Sequence, residues 1–203
     1  MVLAINPETR HRRSIRLRDY DYALAGAYFI TIVTRERRCL FGDVIDSEMR
    51  LNHWGEIVQR EWEQSARIRS EIGLDTFVVM PNHVHGIIVI TDASERATSR
   101  SPLHSGPTKR SLGAFVGGFK SAVTKSIREL RGELGALIWQ RNYFEHIIGN
   151  EESLKRIRQY IDDNPTRWEF DRENPFAIKL EPANPWLQAK QDHPERQSCN
   201  DGL

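Results

Sequence analysis

The sequence predicts an α+β domain of the ferredoxin-like, split βαβ kind: an antiparallel sheet with helices packed on one face, plus a further C-terminal helix. Three observations carry this prediction. Short β-branched and aromatic runs alternate with longer segments in which apolar residues recur every three or four positions. The order of these segments is strand, helix, strand, strand, helix, strand, helix. Two neighbouring strands are separated by only a Pro-Asn break, which makes them an antiparallel hairpin.

The first strand is AYFITIVT (27–34), dense in residues that favour a pleated, buried surface. After RERR, the run CLFGDVI (39–45) is a hairpin or an extended continuation. From Asn52 the period turns helical, with Trp54, Ile57, Val58, Trp62 and Ala66 tracing one face to about Arg69. TFVVM (76–80) and VHGIIVIT (84–91) form the hairpin. Residues 92–110 hold a single large apolar side chain, Leu103, too little to order a segment, and are expected to form a mobile loop.

Ser111 is placed to cap a second helix with the stripe Phe115, Phe119, Val123, Ile127 and Leu130. ALIWQRNYFEHII (136–148) is strand-like. Asn150 caps a last helix, with Glu151 and Glu152 in the first turn where the dipole favours acid, and Pro165 stops it. The expected organisation is a basic N-terminal segment (1–26), one domain (27–170) containing the mobile loop, and a C-terminal extension (171–203), partly disordered beyond Pro185.

Composition narrows the class. A hydrophobic fraction of 39% with 28% charged residues fits a soluble, globular chain of 203 residues. No apolar run approaches the roughly 18 residues a membrane helix needs, and MVLAINPETRHRRS has no signal-peptide core, so a cytoplasmic protein without a membrane partner is expected. The two cysteines, Cys39 and Cys199, rule out a disulfide scaffold and a cysteine metal knuckle. With 29 basic and 28 acidic residues, bulk charge does not announce nucleic acid. The block 8–19 and a later group including Lys109, Arg110, Lys120, Lys125 and Arg128 form either phosphate-attracting patches or solvated faces.

The chemistry-bearing pattern begins at PNHVHGIIVI. Strand alternation sends His83 and His85 to one face and Val84 to the other, so both imidazoles can converge on one cation. The competing reading has one histidine packed and the other solvated. On the last helix, Leu154, Ile157 and Ile161 form the buried stripe, and Tyr160 and Asn164 lie about 40° apart on its flank. Tyr160 is either a half-buried core tyrosine or a reactive hydroxyl. Asn164 is either a helix C-cap or an oxygen ligand. His146, Glu145, Asp163, Asn82 and the aromatic residues Trp139, Tyr143 and Phe144 are weaker polar or base-stacking candidates, each with an ordinary structural explanation.

The runs GAYFITIVTRERRCLFG, VVMPNHVHGIIVI, FKSAVTKSI, WQRNYFEHII and YIDDNPTRW, in this order, resemble the REP-associated tyrosine transposases. These are a branch of the single-tyrosine, IS200-like transposases of the HUH nuclease superfamily, and the resemblance covers roughly residues 12–170. It implies a metal-dependent endonuclease and strand transferase acting on single-stranded DNA with hairpins or palindromic repeats through a 5′-phosphotyrosine. By the same resemblance, Tyr160 on the C-terminal helix is the catalytic residue, and His83, His85 and Asn164 hold a divalent metal, Mg²⁺ or Mn²⁺. Arg12, Arg13, Arg16, Lys120, Lys125 and Arg141 are expected DNA contacts. The setting is the bacterial cytoplasm, at the nucleoid while acting, as a homodimer or a monomer. The alternative is a non-catalytic protein, derived from a transposase, that binds DNA or RNA hairpins.

Overall fold

The structure, a computed structural model, describes residues 24–91, 111–131, 137–182 and 186. The N-terminal segment to residue 23, the expected mobile loop 92–110 and the tail from residue 187 lie outside the described residues. The elements are β1 (Gly26–Val33), β2 (Gly42–Ile45), β3 (Glu48–Leu51), α1 (His53–Ile68), β4 (Ile72–Val79), β5 (His83–Ile90), α2 (Leu112–Arg131), β6 (Phe144–Ile148) and α3 (Glu151–Asp162). The main sheet has the order β4-β5-β1-β6, with every pair antiparallel. This is the split βαβ arrangement, because β5 inserts between β1 and β4 and β1 inserts between β5 and β6.

Local signals account for the element ends. Asn52 accepts hydrogen bonds from Trp54 N and Gly55 N, Ser111 accepts from Ala114 N, and Asn150 accepts from Ser153 N. Each satisfies amides that a helix start leaves unpaired. CLFGDVI resolves as half of a hairpin: β2 pairs with β3, and Asp46 and Ser47 take left-handed backbone angles (φ 52° and 63°) in the turn between them. Two expected boundaries move. β4 starts at Ile72, before an irregular step between Leu74 and Phe77. The expected strand 136–148 is regular only from Phe144, with one isolated bridge between Thr34 and Trp139 before it. The reason is Lys120: its Nζ donates to the carbonyls of Gln140 (2.9 Å) and Asn142 (3.0 Å), and lies 3.4 Å from that of Arg141. Those carbonyls have found an ammonium in place of a neighbouring strand.

The sheet is buried on both faces. Tyr28, Ile30 and Ile32 of β1 and Val84 and Ile88 of β5 pack against Val58 and Trp62 of α1 and Phe115, Phe119 and Val123 of α2. On the other face, Phe29 and Ile87 meet Ile157 and Ile161 of α3 and Trp186. The third helix therefore covers the face opposite the first two. Its placement is fixed laterally by Arg158, which donates twice to the Asp75 carboxylate in β4, at 2.9 and 2.6 Å. Among the described residues no helix is long and apolar enough to cross a membrane.

Two predictions follow from this packing. At Gly86 an added Cβ would run into the Trp62 ring and approach Phe77 Cβ at 3.2 Å. Gly86→Ala is therefore expected to lower unfolding free energy by about 1–3 kcal/mol in urea titrations. The Asp75 carboxyl is held down to about 2, chiefly by its Arg158 hydrogen bonds. A depressed acid contributes stability above its unfolded pKa and loses it as pH falls through the folded value. Arg158→Ala should thus lower stability slightly at pH 7, and the difference from wild type should disappear between about pH 4 and 2 in urea titrations.

Candidate metal centre and tyrosine

Alternation along β5 turns His83, His85 and Ile87 toward α3, and both histidines are buried, with ring centroids 4.4 Å apart. What their nitrogens offer follows from Asn82 in the preceding turn. Its Nδ2 donates to the carbonyls of Arg37 (2.9 Å) and Glu173 (2.6 Å). Carbonyls only accept, so the other end of the amide is the oxygen, and that oxygen also only accepts. His83 Nδ1 lies 2.9 Å from it and must carry the ring proton. A lone pair is left on Nε2, which is buried and has no hydrogen-bond partner. His85 faces Thr31 across the β1–β5 ladder, with Thr31 Oγ1 2.9 Å from its Nδ1.

From α3 and the turn beyond it come the other parts. Asn164 keeps helical angles (φ −58°, ψ −40°) despite preceding Pro165, so the chain runs from α3 into a 3-10 segment, Pro165–Phe170. Its Nδ2 donates to Asp171 Oδ2 at 3.0 Å. Its Oδ1 is buried without a partner, and its side chain sits close enough to His83 to favour the protonated ring. The Tyr160 hydroxyl lies 3.4 Å from His85 Nε2. The ring of Tyr160 is wedged edge-on against Phe29 (centroids 6.1 Å apart) and tilted against Trp186 (4.8 Å).

The electrostatics suit a cation. Burial lowers the His83 pKa, with Asp171, Glu173 and Asn164 opposing, and lowers that of His85 further, helped by His83. Both rings are neutral at pH 7 and able to ligate. For Asp171 burial pushes upward, but the two histidines, the Glu173 N–H and the Asn164 amide outweigh it and keep the carboxyl below its ordinary value. Burial, then the charge of Asp171, raises the Tyr160 hydroxyl, which stays protonated. One ligand atom from each of His83, His85 and Asp171 lies within 4.8 Å of the others. Two imidazole lone pairs, an orphaned amide oxygen and a carboxylate converging in a buried spot fit a divalent ion, and this cluster could bind one.

The structure thus brings His83, His85, Tyr160 and Asn164 together. It turns Lys120 elsewhere: its ammonium is engaged by the three carbonyls named above, and desolvation brings its pKa down to about 8. Lys125 is exposed beside Glu129 at 3.8 Å, and Arg141 is exposed. Arg12, Arg13 and Arg16 lie outside the described residues. His146 is half-buried, 6.1 Å from the Trp186 ring, and Asp163 accepts from Gln159 Nε2 at 2.8 Å. Sequence reasoning missed Asp171, Thr31 and Trp186. Thr31 could have been found, since it lies on the same strand face as Phe29 and stands directly opposite His85. Asp171 and Trp186 sit in non-periodic chain and left no signal.

No protein-family model matches the chain. An uncharacterized protein of Haemophilus influenzae is 40% identical over 181 residues, which span 85% of this chain and 98% of that one. The solved structure of a REP-associated tyrosine transposase bound to a REP hairpin aligns with TM-score 0.50 and 19% identity, covering 75% of this chain and 73% of that one. The chain therefore belongs to one family with the Haemophilus influenzae protein, and it has the fold of the REP-associated tyrosine transposase.

Proposed function

We propose that the protein is a metal-dependent endonuclease and strand transferase of single-stranded hairpin or repeat DNA, with Tyr160 as the attacking group. The observation that carries this reading is the Tyr160 hydroxyl 3.4 Å from His85 Nε2, at the edge of a buried cluster of metal-ligating atoms. A purely structural metal site would have no need of a hydroxyl there, and a purely structural tyrosine would have no need of two neutral imidazoles. Hairpin DNA as substrate is supported by the solved transposase of the same fold, which is bound to a REP hairpin.

His83, His85 and Asn164 would hold the ion, Mg²⁺ or Mn²⁺. When bound it withdraws charge from a phosphodiester and so lowers the barrier to nucleophilic attack. The protein's own residues supply the rest. Phe29 and Trp186 fix the ring plane of Tyr160, so little orientational freedom is lost at attack. Thr31 and Asn82 hold the two imidazoles by their Nδ1 atoms. Attack forms the Tyr160 O–P bond and breaks the P–O3′ bond. One strand then carries a 5′-phosphotyrosine and the other a free 3′-hydroxyl, with the tyrosine proton lost and one gained by the leaving oxygen. Because one phosphoester replaces another, a second 3′-hydroxyl can reverse the step and join strands without ATP.

A second reading, a hairpin-binding protein without turnover, is favoured by the contact of Trp186 with Tyr160 at 4.8 Å, which partly covers the hydroxyl-bearing ring. One experiment separates the two. The full chain is incubated with end-labelled hairpin DNA from repeats flanking its gene, in Mg²⁺ or Mn²⁺, and resolved on a denaturing gel. Wild type should give a covalent protein–DNA band. Tyr160→Phe should bind the hairpin and give none, and His83→Ala should slow adduct formation by about 100-fold or more. A bound hairpin with no adduct in either metal would replace the enzyme reading with the second one.

A further inference from the structure

Asp171 is buried beside the two histidines and hydrogen-bonded directly to Asn164. We propose that Asp171 is the positioning residue of the metal centre, acting on the ion through Asn164; this rests on the reading of His83, His85 and Asn164 as the metal site. Both of its oxygens are engaged: Oδ2 accepts from Asn164 Nδ2 at 3.0 Å, and Oδ1 accepts from Glu173 N at 2.6 Å. The turn that carries it is itself held. Arg37 Nε donates to Glu173 Oε2 at 2.8 Å, Asn82 Nδ2 donates to the Glu173 carbonyl, and Asp171 N donates to the Trp168 carbonyl at 3.2 Å.

The two ends of an amide are nearly equal in size and opposite in chemistry. A carboxylate can only accept, so Asp171 selects the NH₂ end and leaves Oδ1 free. Without that carboxylate the amide is free to rotate by half a turn. Its NH₂ would then donate to His83 Nε2, which lacks any other partner, and one rotation would remove two ligand atoms at once. Asp171 therefore keeps Asn164 from capping His83.

An aspartate at position 164 has no wrong end, which supplies the test. Mn²⁺ binding to the full chain is titrated by the loss of the free-ion EPR signal, without DNA. Asp171→Ala is expected to weaken binding about 10- to 100-fold. Asn164→Asp combined with Asp171→Ala should regain most of that loss, because either rotamer of the new carboxylate presents an oxygen. A double variant as weak as Asp171→Ala alone would overturn the proposal and make Asp171 a direct ligand. Should wild type itself leave the Mn²⁺ signal unchanged, the metal reading fails and the proposal falls with it. Thermal melts of the metal-free variants separate lost binding from lost folding. If the alanine variant melts early, Asp171→Ser, whose hydroxyl can still accept from Glu173 N, takes its place in both arms.

Discussion

The pairing of β1 with β5, in which Thr31 stands opposite His85 and Val33 opposite His83, decides which face of the sheet each imidazole meets. A slip of one residue would carry both histidines into the apolar layer under α1 and α2. The lock on this register lies on the far side of the sheet. Trp62 of α1 is fully buried and sits directly on Gly86, between Phe77, Phe115 and Phe119. Only a residue without a side chain fits beneath that indole, and His85 and Ile87, the neighbours of Gly86, must then point the other way. Core packing on one face thereby sets the chemistry of the other.

Within the site the governing constraint is a shortage of protons. Asn82 has its donors taken by two carbonyls and imposes the Nδ1 tautomer on His83; Asp171 takes the donor end of Asn164. What remains facing inward is a set of acceptors with nothing to accept from. Leaving buried acceptors unpaired costs about 1–3 kcal/mol each. A fold selected for stability alone would have filled the spot with apolar side chains, and tolerance of that cost is characteristic of functional sites.

Much of this was legible in the sequence because the signals were local. The Ser111 and Asn150 helix caps, the helical period from Trp54 to Trp62, and the histidine alternation each occupy a few consecutive residues. Tyr160 and Asn164, one turn apart, could be placed on a common flank for the same reason. Asp171 could not be found this way. It reaches the site after a 3-10 segment of six residues and a turn held by Arg37 and Asn82, partners far away in sequence. The surroundings of Lys120 were hidden for a related reason, since its place off the apolar stripe says nothing of what its ammonium reaches. Its aliphatic stem instead carries the ammonium to three carbonyls, a contact that no periodicity encodes.

The Thr31–His85 hydrogen bond joins residues 54 apart in sequence, and the Asn82–Glu173 bond joins residues 91 apart. Strand β1, first among the described strands, has β6, the last of them, as its second sheet neighbour. Closure of this kind is slow, because chain entropy is lost before such non-local contacts form. The parts of the site lie on β1, β5, α3 and the turn beyond it, so the arrangement exists only once these elements have packed together. A fragment of the chain that lacks any one of these elements therefore cannot hold the arrangement, whatever its own secondary structure.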